Sequence, residues 1–351
     1  MLCEDIHSAL LPVLARYESD QICYVVDKNC ATLPTRSRLI QGENSLPLAV
    51  QESRKSLETV EQIWDFLFEH NITRHGLLIA IGGGVLTDIT GFAAATYKRG
   101  IDWVAVPTTL LAMVDASTGG KTGINYHGLK NSIGAFYPPA ETIICPEWIQ
   151  TLPPQEFLSG YAEMLKTGLI ETTEYGVQST DRLWDRLLAY DLDTMPTDTL
   201  TPLIKACVEV KERIVAADPK EEGLRKALNL GHTFGHALEQ LSIHNSELAV
   251  LPHGYAVLYG LIAELYLSVT KLKCSKEPLQ QLTQIMLQYY GKPQCKCSDR
   301  ERLIRLMQQD KKNERAAEIN CTLMRKVGEP VINQVITPEE ANEAWDYLFS
   351  L

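Results

Sequence analysis

A chain of 351 residues is too long for one ordinary hydrophobic core and predicts two domains, which its 45% hydrophobic content is enough to fill. A formal net charge of -11 disfavours nucleic acid as the main partner, because binding a phosphate backbone needs a dominant basic surface; positive charge for any anionic ligand must be gathered locally. The nine cysteines are odd in number, scattered and lack a Cys-x-x-Cys pair, MLCEDIHSALLPVLARYESD lacks the basic start of an export signal, and no run reaches the ~20 apolar residues of a membrane span, so a reduced, cytoplasmic protein without a membrane partner is expected.

In chain order, four short apolar runs mark the first half as strands: Ile22 to Val26, Leu77 to Ile81, Trp103 to Val106 and Thr142 to Cys145. Longer segments of helical period separate them, as in SLETVEQIWDFL, where Leu57, Val60, Ile63, Trp64 and Leu67 recur at helical spacing. Apolar strands alternating with amphipathic helices are what a parallel sheet covered on both faces requires, so residues 1–152 are expected to form an open, Rossmann-like α/β domain. Beyond a boundary at Pro153 and Pro154, helical periodicity runs near 155–172, 178–191, 198–218, 229–242, 253–273, 276–290, 298–310 and 338–350. EINCTLMRKVGEPVINQVI interrupts it with alternating Ile319, Cys321 and Leu323, a hairpin signal, so residues 153–351 are expected to form a mainly helical domain.

LLIAIGGGVLTDITGFAAA runs from an apolar strand through Gly82, Gly83 and Gly84 into a helix with Asp88 in its first turn. Glycines there let a dinucleotide's pyrophosphate approach the backbone at a helix N-terminus, though the spacing is not G-x-G-x-x-G and a tight strand-to-helix turn is the competing reading. DASTGGKTGIN mimics a P-loop but carries Asp115 where the pattern needs glycine, which rejects triphosphate binding through it. Arg99, Lys121, Lys130 and Asn131 fall within about thirty residues in Gly-rich, loop-like contexts. Any one lysine is more often a solvated surface charge; the cluster, in an acidic chain, favours a phosphate or carboxylate site.

In SGYAEMLKTG, Glu163 and Lys166 share a helix face away from Phe157, Tyr161, Met164, Leu165 and Gly168, either as a functional pair or as the commoner surface ion pair. ALNLGHTFGHALE places His232 and His236 four residues apart, and LPHGYAV adds His253. A catalytic zinc takes three protein ligands of this kind, but the stretch is not H-E-x-x-H, so the spacing permits two ligands without demanding them.

The motifs GGGVLTDITGFAAATYKRG, VPTTLLAMVDASTGGKTGIN, GLKNSIGAF, GYAEMLKTG, RKALNLGHTFGHALE and DKKN, in that order over nearly the whole chain, resemble the 3-dehydroquinate synthase family. The resemblance implies a carbon-oxygen lyase of the shikimate pathway that converts the heptulosonate phosphate DAHP to 3-dehydroquinate and phosphate. It would do so by transient oxidation with NAD, phosphate elimination, reduction, ring opening and aldol closure. It implies NAD contacts at Asp27, Glu52, Lys55, Gly83, Gly84, Val85, Asp88, Thr108, Thr109, Thr151, Leu152 and Glu156, with Asp115, Lys121 and Lys130 shared with substrate. It implies a divalent metal, zinc or cobalt, on Glu163, His232 and His253. Substrate contacts would come from Arg99, Asp115, Lys121, Lys130, Asn131, Lys166, Arg225, Asn229, His236, His253, Lys311 and Lys312, with Glu221, Lys121, Lys166, Arg225, Asn229 and His236 in catalysis. A homodimer is implied as well. The chain departs from the family at ERAAEIN, where a glycine commonly follows DKKN, which leaves the choice between Lys311 and Lys312 open, and at Leu86 and Thr87, where smaller residues are usual. The rival readings are other sugar phosphate cyclases, such as 2-epi-5-epi-valiolone synthase and 2-deoxy-scyllo-inosose synthase, a polyol dehydrogenase of the glycerol dehydrogenase type, and a silent NAD-binding protein. The match at Lys130, Asn131, Arg225, Asn229 and His236 favours dehydroquinate synthase.

Overall fold

The computed structural model describes residues 1–32, 44–127, 129–172, 182–245, 247–309 and 318–351. They divide into two compact units, Met1–Leu152 and Pro153–Leu351. The first unit contains α1 (Ile6–Leu14), β1 (Ile22–Asp27), β2 (Ser45–Leu48), α2 (Leu57–Glu69), β3 (Leu77–Gly82), α3 (Gly84–Thr96), β4 (Asp102–Pro107), β5 (Lys121–Tyr126), β6 (Leu129–Phe136) and β7 (Glu141–Thr142). Five of these strands form a parallel sheet in the order β2-β1-β3-β4-β7, and Leu77 to Ile81 at its centre are at most 1% exposed. The strand order changes direction between β1 and β3, which opens a crevice at the carboxyl ends of those two strands.

Three local features depart from the sequence reading. The expected strand over Thr142 to Cys145 pairs with β4 only at Glu141 and Thr142. Its apolar remainder is held by the chain start, where Cys3 N-H donates to Ile144 O and Ile144 N-H donates to Met1 O. The strand β2, SLPL, is not among the expected strands; its Pro47 cannot donate to a ladder and is tolerated because β2 lies at the sheet edge. The segment holding Lys121, Lys130 and Asn131 is not a set of loops but an antiparallel ribbon, β5 with β6, whose outer strand is almost wholly exposed and intersperses polar with apolar residues. A ribbon of that composition carries no apolar run to betray it.

The second unit contains α4 (Pro154–Ile170), α5 (Leu183–Leu188), α6 (Thr197–Ala217), α7 (His232–His244), α8 (His253–Leu272), α9 (Glu277–Ile285), α10 (Arg300–Gln308), the antiparallel pair β8 (Ile319–Lys326) and β9 (Glu329–Ile336), and α11 (Pro338–Ser350). The helix expected to start near 229 starts at His232, because Gly231 adopts φ +80 and separates it from a 3-10 turn over Leu224–Asn229. The helix expected over 276–290 ends at Ile285 and continues as one wide turn, Met286–Tyr290.

The helices α4 and α8 are the core of this unit: every residue from Phe157 to Ile170 is buried, and α8 is apolar on nearly all sides. By length and composition alone α8 could span a membrane, but two thirds of that window (67%) is buried within the protein and it carries Glu264 at 0% exposure. Its approach to its neighbours depends on glycine. A Cβ at Gly254 would lie 1.9 Å from Ser159 O on α4, and one at Gly260 would lie 1.8 Å from Gly231 O at the start of α7. Glu264 completes the α7 junction by accepting from Gly231 N-H at 2.6 Å and Thr233 N-H at 3.3 Å, which caps a helix whose own N-cap residue has no side chain. Gly260→Ala is accordingly expected to lower the unfolding free energy by about 3 kcal/mol or more through overpacking. A urea midpoint equal to that of the parent chain would contradict the close approach.

Candidate nucleotide crevice and metal centre

In the first unit the carboxyl ends of the central strands bring together several of the residues singled out for a nucleotide. Asp27 closes β1, Gly83 and Gly84 follow β3, and Thr108 and Thr109 follow β4. Burial lifts the Asp27 carboxyl above the usual carboxylate range, against a hydrogen bond from Asn29 N-H. A Cβ at Gly83 would meet Thr109 Cγ2 at 3.1 Å and one at Gly84 would meet Ala116 Cβ at 3.0 Å, so the turn is closed tightly by the segment after β4. No side chain caps the α3 N-terminus, and its first-turn N-H groups and dipole favour an anion. Leu86 and Thr87, the two larger residues in this turn, are each 1% exposed and face the interior.

Lys55 ties this crevice to the ribbon. Its Nζ lies 2.5 Å from Asp88 Oδ2 in the first turns of α3 and 2.5 Å from Asn131 Oδ1 on β6, at 4% exposure. Asn125 donates to Glu52 Oε1 at 2.8 Å and accepts from Asn131 N-H at 2.8 Å, while Lys130 Nζ stands 3.6 Å from Glu52 Oε1. Asn131 adopts φ +48, a left-handed conformation that an asparagine accepts more readily than a branched residue. Asn125 was not among the residues singled out, and its place at the end of GGKTGIN carries no signal that it joins Glu52 to Asn131.

The other residues of the basic cluster are not gathered at this point. Lys121 begins β5 at the far end of the ribbon, paired with Phe136. Arg99 follows α3 and precedes β4, so it lies at the amino edge of the sheet, opposite the glycine turn, in a left-handed run with Lys98 at φ +47, Arg99 at +67 and Gly100 at +113. Asp115 is half-buried in the wide turn Ala112–Ala116. Thr151 and Leu152 close the first unit, and Glu156 is exposed in the first turn of α4. Replacing Lys55 by Met breaks its contacts with Asp88 and Asn131 at once and is expected to cost about 3 kcal/mol, since removing one partner of a buried pair leaves the other desolvated. A urea midpoint shift near zero would count against the ribbon being pinned through this ammonium.

In the second unit three helices each bring one residue to a single point. Glu163 sits in mid-α4, His232 is the first residue of α7 and His253 the first of α8. His232 Nε2 is 3.7 Å and His253 Nε2 3.2 Å from Glu163 Oε1, and one ligand atom from each residue lies within 4.8 Å of the others. His232 Nδ1 is 3.1 Å from Leu230 O; a carbonyl only accepts, so Nδ1 carries a proton and donates there, and Nε2 is the ring atom turned toward Glu163. Burial would push the His253 imidazole down, but Glu239 and Glu163 outweigh it and hold the ring protonated up to about 10, the place a cation would take. Lys166 Nζ is 2.5 Å from Glu163 Oε2, and both side chains are 1% exposed, so the pair is interior rather than the surface ion pair that is commoner at this spacing.

His236 joins the same cluster at ring distance, 5.3 Å from His232 and 6.2 Å from His253, without being part of the triad. Upstream, Asp218 accepts from the N-H groups of Glu222, Gly223 and Arg225, which shapes a turn that places Glu221 Oε1 2.7 Å from Asn229 Nδ2. Arg225 is 2% exposed and donates to Pro219 O at 2.7 Å. Lys311 and Lys312 lie outside the described residues. Sequence reasoning assigned nothing to Glu239 or Glu264, because their partners are on other helices and no spacing within one motif reveals them.

The fold, a parallel-sheet unit followed by a helical one, is shared with solved synthases that act on sugar-derived substrates and with solved polyol and alcohol dehydrogenases. 2-Epi-5-epi-valiolone synthase from Streptomyces hygroscopicus subsp. jinggangensis 5008, solved with NAD+ and Zn2+, superposes with a TM-score of 0.84 at 24% identity, covering 100% of this chain and 96% of that one. 2-Deoxy-scyllo-inosose synthase, solved with carbaglucose-6-phosphate, NAD+ and Co2+, superposes with a TM-score of 0.79 at 21% identity, covering 97% and 94%. In sequence, residues 45–159 match the model of the 3-dehydroquinate synthase N-terminal part and residues 160–313 that of the C-terminal part. The 3-dehydroquinate synthase of Parabacteroides distasonis is 41% identical over 99% of this chain and 96% of its own length. The chain therefore belongs to the 3-dehydroquinate synthase family.

Proposed function

We propose that the protein converts 3-deoxy-D-arabino-heptulosonate 7-phosphate to 3-dehydroquinate and inorganic phosphate. The observation that carries this reading is the 41% identity to the Parabacteroides distasonis enzyme along 99% of the chain, against 24% and 21% for the two structurally similar cyclases of other product specificity.

A carboxylate with two imidazoles is the donor set zinc and cobalt take, whereas calcium and magnesium prefer all-oxygen sites, so Glu163, His232 and His253 fit a zinc or cobalt ion. The crevice from Asp27 through Gly83, Gly84 and Val85 to Thr108 and Thr109 fits NAD, with Glu52, Lys55 and Asp88 beside it. When bound, NAD supplies a reversible hydride acceptor and the divalent ion supplies Lewis acidity toward a substrate hydroxyl and ketone.

The chain's own residues do the rest. Lys166, buried beside Glu163, holds fixed positive charge where an enolate develops. Arg225, Asn229 and His236 hold the phosphate and favour its departure as a dianion, with the His236 imidazole as the group able to pass a proton. Asp115, Lys121, Lys130, Asn131 and the Lys311–Lys312 pair take the remaining anionic and hydroxyl groups, while Arg99, at the opposite edge of the sheet, has no part in this set, and Glu221 orients Asn229 through the 2.7 Å hydrogen bond. A cytoplasmic homodimer acting on a small anionic substrate, with neither nucleic acid nor membrane as partner, completes the proposal.

Incubation with the heptulosonate phosphate, catalytic NAD and zinc is expected to release phosphate and dehydroquinate in equal amounts. No turnover, or NADH accumulating with each substrate consumed, would contradict the reading. His232→Ala is expected to lose bound zinc, whereas His236→Ala keeps the metal and loses at least about 100-fold in kcat, the usual scale of a general acid-base contribution. Equal metal loss in both variants would contradict that division of roles.

A further inference from the structure

The two imidazoles of the triad are anchored at Nδ1 by acceptors of different kinds. His232 donates to a neutral backbone carbonyl, Leu230 O, at 3.1 Å. His253 turns its Nδ1 to a carboxylate, Glu239 Oε1, at 3.5 Å. Glu239 is 3% exposed and sits on α7, seven residues after His232, so the helix that supplies one ligand also supplies the group facing the other ligand's ring. A buried carboxylate is costly unless a partner offsets its desolvation, and in a purely structural helix an apolar residue at this position would pack at no such cost. A carboxylate behind an imidazole fixes the tautomer with Nδ1-H toward itself, orients the ring and makes Nε2 a stronger donor.

We propose that Glu239 is a positioning residue of the divalent cation site, holding His253 in the rotamer and tautomer in which Nε2 points at Glu163. It acts through the His253 ring rather than by contact with substrate or cation. The proposal rests on the reading of Glu163, His232 and His253 as the ligands.

The test is the zinc dissociation constant of the full chain, measured by competition with a chromophoric chelator, for the parent, E239Q, E239A, H253A and the E239A/H253A double variant. Urea midpoints establish that each is folded. Zinc is expected to bind E239A about 10- to 100-fold more weakly than the parent, the usual effect of removing a carboxylate behind a metal-bound histidine. E239Q, which keeps the side-chain shape and an acceptor oxygen, is expected to fall between the two and serves as the readout if E239A does not fold. The double variant should bind no more weakly than H253A, because the two changes act through one ring. With cobalt in place of zinc, E239Q should also shift the visible absorption bands, which a change confined to helix packing would leave in place. Parent-like zinc affinity in folded E239A and E239Q, or losses that multiply in the double variant, would overturn the role of Glu239 while leaving the ligand triad intact. Parent-like affinity in H253A would instead overturn the triad, and this inference with it.

Discussion

The helical unit depends on one steric constraint: α8 lies so close to α4 and to the start of α7 that only hydrogen fits at Gly254 and Gly260, where a Cβ would sit 1.9 Å and 1.8 Å from backbone oxygens. That approach sets the first residue of α8, His253, 3.2 Å from a glutamate in the middle of α4, and the first residue of α7, His232, 3.7 Å from the same carboxylate oxygen. Two helix starts and one helix interior thereby meet at a point, with Glu163 and Lys166 each 1% exposed. Burying that much charge is unfavourable by itself. It persists because the glycine contacts and the Glu264 cap fix the backbones independently of it.

The sheet unit solves a different problem. Its strand order fixes where a ligand can enter, and the residues at that edge are held by a network rather than by close packing: Lys55 bridges Asp88 and Asn131, and Asn125 bridges Glu52 and Asn131. The ribbon β5–β6 packs inward through Thr122 and Ile124 of β5 and leaves Leu129, Ile133 and Phe136 of β6 exposed, and the polar contacts join its tip to Glu52 and Lys55 at the crevice. Arg99 at the opposite edge shows that nearness in sequence does not place a charge at the same mouth.

Much of the fold was legible because apolar periodicity records burial directly. The central strands of the sheet and the long helices α4, α6 and α8 follow their apolar patterns closely. The features that were not legible are those held by something other than local pattern. β2 contains a proline that only an edge position tolerates, β5 and β6 mix apolar and polar residues without a continuous apolar run, and the start of α7 is set by a left-handed glycine rather than by a periodic residue. At the site, the resemblance to dehydroquinate synthases proposed Glu163, His232 and His253, whereas spacing alone left His232 and His236 equivalent. What no spacing carried was the set of groups around them: Glu239 reaches His253 and Glu264 reaches the start of α7 from another helix, just as in the sheet unit Asn125 reaches Glu52 from β5, and contacts between elements leave no period in the sequence.

The central claim, that three helices converge to make a cation site distinct from the residue at His236, is tested most directly by anomalous X-ray scattering at the zinc edge from crystals grown with zinc and NAD. The account predicts one strong peak within coordination distance of Glu163, His232 Nε2 and His253 Nε2, with His236 outside that distance. A peak bound by His236, or no ordered peak at the triad, would contradict it.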